Sequence, residues 1–236
     1  MLIKRVAAAV FCVFILSLFM VLMLCSAANI STPVSEITSQ KPKLVIDAGH
    51  GGEDGGAVSK GGIAEKDINL SIAGDVSDLL KLMGFDVVQT RTGDNDLSNG
   101  ESTTRERKTA AMKKRLEIFE SDPQNTVISI HQNKFSESKY HGTQVFYSPN
   151  NELSAKLAES IRFSVRSLLQ PDNERECKAA DSGIYLLKNT SQPAVIVECG
   201  FVSNENELNL LLDENYQKRL ALAITTGFLD YNTIIK

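Results

Sequence analysis

Four short apolar runs punctuate this chain: Leu44–Ile46, Phe85–Thr90, Val127–Ile130 and Ala194–Val197. Apolar runs of that length read as strands buried on both faces, which requires a largely parallel sheet with helices on either side. The segments between them carry helical periodicity. Ile68, Ile72, Val76, Leu79, Leu80 and Met83 recur at three-to-four spacing, and Gly84 supplies the stop. Arg105–Phe119 predicts a polar amphipathic helix, Leu153–Leu169 another closed by Pro171, and Tyr216–Leu229 a last one. Gln144–Tyr147 alternates as an edge or antiparallel strand does, and Leu186–Leu187 reads as a short strand ahead of the last buried one. Residues 99–101 and 172–178 read as exposed loops. With no internal repeat, this alternation predicts a single three-layer α/β domain over residues 43–236.

The first 42 residues are different. Lys4 and Arg5 precede Val6–Leu24, an apolar run of about 19 residues broken only by Ser17, and no charge follows until Glu36. That length matches a bilayer-crossing helix, which favours an uncleaved anchor over residues 1–28; Ser26, Ala27 and Ala28 keep signal cleavage as the alternative. Leu24 is too large for a lipidation site at Cys25. Residues 29–42 are rich in Ser, Thr and Pro and read as a tether. The positive end stays inside, so the rest of the chain is expected outside the cytoplasm. Cys177 and Cys199 are then the two thiols with an oxidising side available. A free Cys199 within its apolar strand is the expected state.

The chemistry sits where strands end. Leu44–Ile46 runs into Asp47-Ala48-Gly49-His50-Gly51-Gly52, Val127–Ile130 into His131, and Ala194–Val197 into Glu198. Carboxyl ends of strands are where α/β sheets bind ligands, so parallel neighbours would bring His50, His131 and Glu198 to one edge. Glu65 follows a loop holding Gly55, Gly56, Gly61 and Gly62, which lets the chain return a carboxylate to the same edge. Any one of these side chains is as readily a loop cap or an ion-pair partner; only as a set do they point to chemistry. Two imidazoles and a carboxylate leave a tetrahedral zinc one open position, the arrangement of a catalytic rather than a structural site. A further carboxylate then serves as proton carrier, and the assembled reaction is amide hydrolysis. Asp47 either fixes an imidazole by accepting its N–H or holds the turn. His141, the third histidine, is expected at the surface or rim.

Four motifs carry a family resemblance: Val45–Gly52, Glu65-Lys66-Asp67, Ser129–Asn133 and Val197–Asn204. Together they resemble the zinc-dependent N-acetylmuramoyl-L-alanine amidases from about residue 43 to 233. The resemblance implies Zn2+ held by His50, Glu65 and His131, with Glu198 as catalytic acid/base. It implies cleavage of the amide between the lactyl group of N-acetylmuramic acid and the L-alanine of the peptidoglycan stem peptide. It also implies a mixed, roughly six-stranded sheet with helices on both faces. Ala48 stands where the family often has Pro, and Cys199 where it often has an aliphatic residue. Gln170–Asn173, Tyr185–Lys188, the apolar N-terminus and the bare catalytic domain resemble the germination-specific, spore-cortex subgroup. There, removal of the peptide prepares muramic acid for conversion to the δ-lactam.

Two other classes share these features: a zinc peptidase cutting within the stem peptide, and a wall-binding protein without activity. A net charge of -4 offers no basic field for nucleic acid, and 6% aromatic residues with no Trp offer no aromatic sugar-binding module. Without wall-binding repeats, placement at the wall is expected to come from the membrane anchor or a protein partner.

Overall fold

The computed structural model describes residues 42–235 together with Ile15 and Met20. The expected anchor over residues 1–28 and the tether up to residue 41 otherwise lie outside the described residues. Among the described residues no helix is long and apolar enough to cross a membrane.

The fold is a single α/β domain around a six-stranded mixed sheet. In chain order the elements are β1 (Lys43–Ala48), α1 (Glu65–Leu82), β2 (Asp86–Gln89), α2 (Thr104–Phe119), β3 (Asn125–Asn133) and β4 (Gln144–Tyr147). There follow α3 (Glu152–Leu168), β5 (Lys178–Ala179), α4 (Tyr185–Asn189), β6 (Ala194–Phe201), α5 (Glu205–Leu212) and α6 (Glu214–Ile234). The strand order is β2-β1-β3-β6-β4-β5. β2, β1, β3 and β6 are mutually parallel, and β4 runs antiparallel to β6. All four apolar runs are therefore parallel strands and the alternating run is the antiparallel one. β2, expected to be buried, is instead the sheet's edge strand, with Asp86 and Val88 exposed because no strand covers that side.

Strand periodicity sorts the core onto two faces. Leu44, Ile46, Ile128, Ile130, Val195 and Val197 pack with α1, α3 and α6 on one side. Val45, Val127, Ala194 and Ile196 meet Phe119 of α2 and Leu186 and Leu187 of α4 on the other. Leu186–Leu187 is thus helical, a correction to the strand expected there: its two leucines close the second face from a one-turn helix. Two further elements escape a sequence reading. β5 is only two residues, and α5 shows a single buried apolar residue, Leu211, so neither carries a period.

Local chemistry fixes the helix ends that matter for the site. α1 begins at Glu65 with Glu65 and Asp67 in its first turn, where acidic side chains favour the positive end of the helix dipole. α2 opens on a reciprocal capping box between Thr103 and Glu106. Its buried residues Ala111, Arg115 and Phe119 recur every fourth position, so one stripe of an otherwise polar helix faces the sheet. The arginine in that stripe reaches the centre described next. Cys177 and Cys199 are both free, and Cys199 is buried.

Candidate metal centre and active site

β1 delivers His50 through a strained turn. His50 has φ 63°, the one non-glycine residue with positive φ among the described residues. Such a conformation costs about 1–3 kcal/mol and persists where its surroundings over-determine it. Two buried arginines do so here. Arg115 donates from Nε to Asp47 Oδ1 at 2.9 Å and from Nη2 to the carbonyls of Ala48 (3.2 Å) and His50 (2.5 Å). Arg91 donates to the carbonyls of Ala48 at 2.9 Å, Gly49 at 3.0 Å and Lys66 at 2.7 Å. The His50 ring is set by Asp54, whose Oδ2 lies 2.8 Å from Nδ1. Nε2 is left facing Glu65 Oε1 at 2.5 Å.

Asp47 meets the turn through Arg115 and no imidazole directly. Its carboxylate is fully buried and taken up by Arg115, Thr90 (2.7 Å) and Ser129 (2.6 Å), and it bonds no imidazole. Burial alone would raise its pKa; the Arg115 guanidinium and the two hydroxyls reverse this and hold it below the ordinary carboxylate range. Asp54 takes the imidazole instead, four residues beyond His50.

Glu65 enters as the first residue of α1, its N–H bonded to the Ala57 carbonyl at 2.8 Å. The loop before it passes so close that a Cβ built on Gly56 would lie 2.5 Å from Glu65 Cγ and Oε1, and Gly56 itself has φ 68°. His131, near the end of β3, presents Nδ1 at 3.4 Å from the same Glu65 oxygen, and its ring meets that of His50 edge-on at 5.0 Å. The ligand-capable atoms of His50, Glu65 and His131 all lie within 4.8 Å of one another. Gly49 packs directly on the His131 ring, and a Cβ there would collide with Cε1 and Nε2. Gly49→Ala is therefore expected to push His131 out of place and weaken metal binding by about 10–100-fold, the scale seen when support around ligands is lost. Metal titration of the variant checks this; unchanged affinity would refute the packing argument.

Glu198 stands opposite His131 in the parallel β3–β6 register and opposite Gln144 in the antiparallel β6–β4 register. Its Oε2 is sealed from solvent and has no hydrogen-bond partner. Burial, with Glu65 nearby, pushes its pKa up to about 7 against the opposing pull of His131 and His50. An orphaned buried carboxylate oxygen costs stability and calls for a functional explanation. His141 is exposed and outside the cluster.

The sequence reading missed Asp54, Arg91, Arg115 and Asn69. Asn69 donates to the Gly49 carbonyl at 3.2 Å and accepts from Gln132 Nε2 at 3.2 Å, tying the β1 turn to the residue beside His131. The spacing of Asp54 from His50 was the one signal available. The arginines sit far away in sequence and look like ordinary helix and loop charges.

The donor set fits a divalent transition metal: two imidazole nitrogens and one carboxylate oxygen, with the remaining coordination free. Without metal, burial disfavours a charged His50, but bonds to Asp54 and Glu65 outweigh it and raise its pKa from 6.5 to about 9. Glu65 is lowered to about 2 because its bonds to His131 and His50 overcome burial. At pH 8, Glu65 and Glu198 are thus mainly ionised while His50 carries a proton on its metal-facing side. The metal must displace that proton, so affinity rises with pH until about 9 and then levels. Calorimetric titration in buffers of different ionisation enthalpy is expected to show at least one proton released per metal at pH 8. No dependence on the buffer would contradict the geometry around His50.

Comparison with known proteins places the chain. The sequence profile of the N-acetylmuramoyl-L-alanine amidase family matches residues 44–230. The germination-specific N-acetylmuramoyl-L-alanine amidase of Bacillus subtilis (strain 168) is 35% identical over 191 residues, covering 80% of this chain and 79% of that protein. Among solved structures, the CwlD amidase from Clostridioides difficile, determined in complex with the GerS lipoprotein, is 40% identical. It has a TM-score of 0.79, covering 82% of this chain and 100% of that one. An N-acetylmuramoyl-L-alanine amidase from Clostridium difficile 630 is 27% identical with a TM-score of 0.71, covering 82% and 97%. With the profile spanning nearly the whole described domain, this chain belongs to the N-acetylmuramoyl-L-alanine amidase family.

Proposed function

We propose that this chain is a zinc-dependent hydrolase of the amide between the lactyl group of N-acetylmuramic acid and the L-alanine of the stem peptide. The observation that carries the reading is the unpartnered, buried Oε2 of Glu198 beside the His50–Glu65–His131 donor set. The residues suit Zn2+, held by His50, Glu65 and His131. When bound, zinc supplies Lewis acidity that polarises a carbonyl and acidifies water.

The chain's own residues do the rest. Asp54 fixes the His50 ring through Nδ1 so that Nε2 faces inward. Gly49 and Gly56 leave room for His131 and Glu65. Glu198 takes a proton from the attacking water and delivers it to the leaving amine as the C–N bond breaks and the new C–O bond forms. The products are a lactyl carboxylate and a peptide with a free L-alanine amine. Burial raises this carboxyl above the ordinary carboxylate range in the metal-free protein, which suits a group that must return the proton it accepts.

The likeness to the germination-specific amidase of Bacillus subtilis supports action on spore cortex, before δ-lactam formation. The lipoprotein bound to the Clostridioides relative supports a protein partner for this chain. The apolar run Val6–Leu24 supports an extracytoplasmic location with membrane attachment or export.

Mass spectrometry of muropeptides after digestion of purified peptidoglycan tests the reaction. Intact stem peptide plus peptide-free muramic acid is expected, lost on chelation and restored by zinc. A shortened peptide still attached to muramic acid would assign the centre to a peptidase instead.

A further inference from the structure

The row of the sheet that holds His131 and Glu198 continues one strand further. Gln144 pairs directly with Glu198, so the three residues lie side by side across β3, β6 and β4. Gln144 is buried and immobilised, donating to the Glu176 carbonyl at 3.0 Å and accepting from Arg175 Nη1 at 3.0 Å. Arg175 is held on three sides. Its Nε donates to the His141 carbonyl at 2.6 Å, and its Cζ lies 4.6 Å over the Phe201 ring and 6.0 Å from that of Tyr140. Phe201 is itself buried, so the shelf beneath the guanidinium is rigid.

Arg175 nevertheless makes no ion pair within 4 Å among the described residues, and its Nη2 has no acceptor there. The Glu207 carboxylate, bonded to the Phe201 and Gly142 N–H groups, is the half-buried charge that feels it. Asp172 and Glu174 line the same hollow without reaching it, and Lys139 across the hollow is paired with Glu137 at 2.6 Å. A half-buried, stacked and pinned arginine with an open N–H edge is pre-organised for a planar anion.

We propose that Arg175 binds a carboxylate on the peptide side of the scissile amide. The inference rests on the amidase reading and names the part of the substrate that the site selects. In a substrate of that class the glycan side is neutral, because N-acetylation and the amide itself consume its charges. Carboxylates occur on the peptide side only. Arg175 stacks on Phe201, three residues beyond Glu198 on β6, a strand advance of roughly 10 Å. An extended chain advances at most about 3.6 Å per residue, so the carboxylate of the second or third peptide residue reaches this position.

The test uses a matched pair of N-acetylmuramoyl tripeptides, one with free carboxylates on the second and third residues and one with both as carboxamides. Wild-type protein is expected to favour the acid by about tenfold or more in kcat/KM, the scale of one hydrogen bond to a charged group. Arg175→Ala is expected to erase that preference, losing about 10–100-fold on the acid, mostly through KM, and less than about threefold on the amide. Arg175→Lys is expected to retain part of the preference as a point charge. Unchanged metal affinity and melting temperature would show that the Ala variant is folded. Equal losses on both substrates, or a wild type indifferent to the carboxylates, would overturn the inference while leaving the amidase reading intact. A wild type that cleaves the lactyl–alanine bond in neither substrate, with zinc bound, would overturn the amidase reading itself.

Discussion

Glu198→Gln is expected to lower amide hydrolysis by about 10²–10⁴-fold, with metal affinity close to that of the wild type. The amide has the shape of the carboxyl but cannot accept and return a proton, so the loss falls on the chemical step. The same substitution is expected to raise thermal stability, and the sign follows from the pKa. Burial lifts the folded-state value from 4.5 to about 7. A carboxyl whose pKa is raised on folding destabilises the fold progressively as pH climbs from its unfolded to its folded value, and fully above that. In metal-free protein at pH 8, the uncharged amide side chain avoids the penalty, and the Glu198→Gln variant should melt higher than the wild type. At pH 4, where both forms are neutral, the difference should vanish. Activity and stability moving in opposite directions is what a functional buried charge predicts. A variant that keeps wild-type turnover on purified peptidoglycan would remove Glu198 from the reaction. A variant that melts lower at pH 8 would mean that Oε2 has a stabilising partner.

Much of this centre is legible in sequence because it sits on strand ends. Val45, Val127 and Val197 belong to runs whose apolar continuity fixes strand type; His131 and Glu198 stand where two of those runs stop, and His50 follows the third by four residues. Glu65 is legible for a different reason: the glycine-rich loop before it allows a tight return, and Gly56 does meet the Glu65 side chain. What stays hidden has no period and no local neighbour. Arg115 bonds Asp47 across 68 positions, and Arg91 bonds Gly49 across 42. In sequence Arg115 is one more charge in a polar helix, and only its place in the stripe with Ala111 and Phe119 hints that it points inward. Leu186–Leu187 fails for lack of length: two leucines fit a strand or a helical turn equally, and tertiary packing onto the second face of the sheet decides.

Arg115→Ala is expected to cost the fold about 3–5 kcal/mol, because it strands a fully buried Asp47 carboxylate. For a domain of this size that is a fall of roughly 6–20 °C in melting temperature. Asp47→Asn added to Arg115→Ala is expected to recover part of the loss, since the remaining group is neutral and Thr90 and Ser129 still bond it. Additive losses in this double-mutant cycle would show that the two side chains do not stabilise one another. Arg115→Lys separates the two jobs of this side chain. An ammonium can still neutralise Asp47, but it lacks the planar fork that reaches Asp47 Oδ1 and the His50 carbonyl together. The Lys variant should therefore keep much of the stability yet bind metal about tenfold more weakly, because the positive-φ turn carrying His50 loses a clamp. Metal titration alongside thermal melting distinguishes the outcomes. If affinity and stability fall in proportion across both variants, Arg115 is a core residue only; if affinity falls further in the Lys variant than its stability accounts for, Arg115 holds the ligand in place.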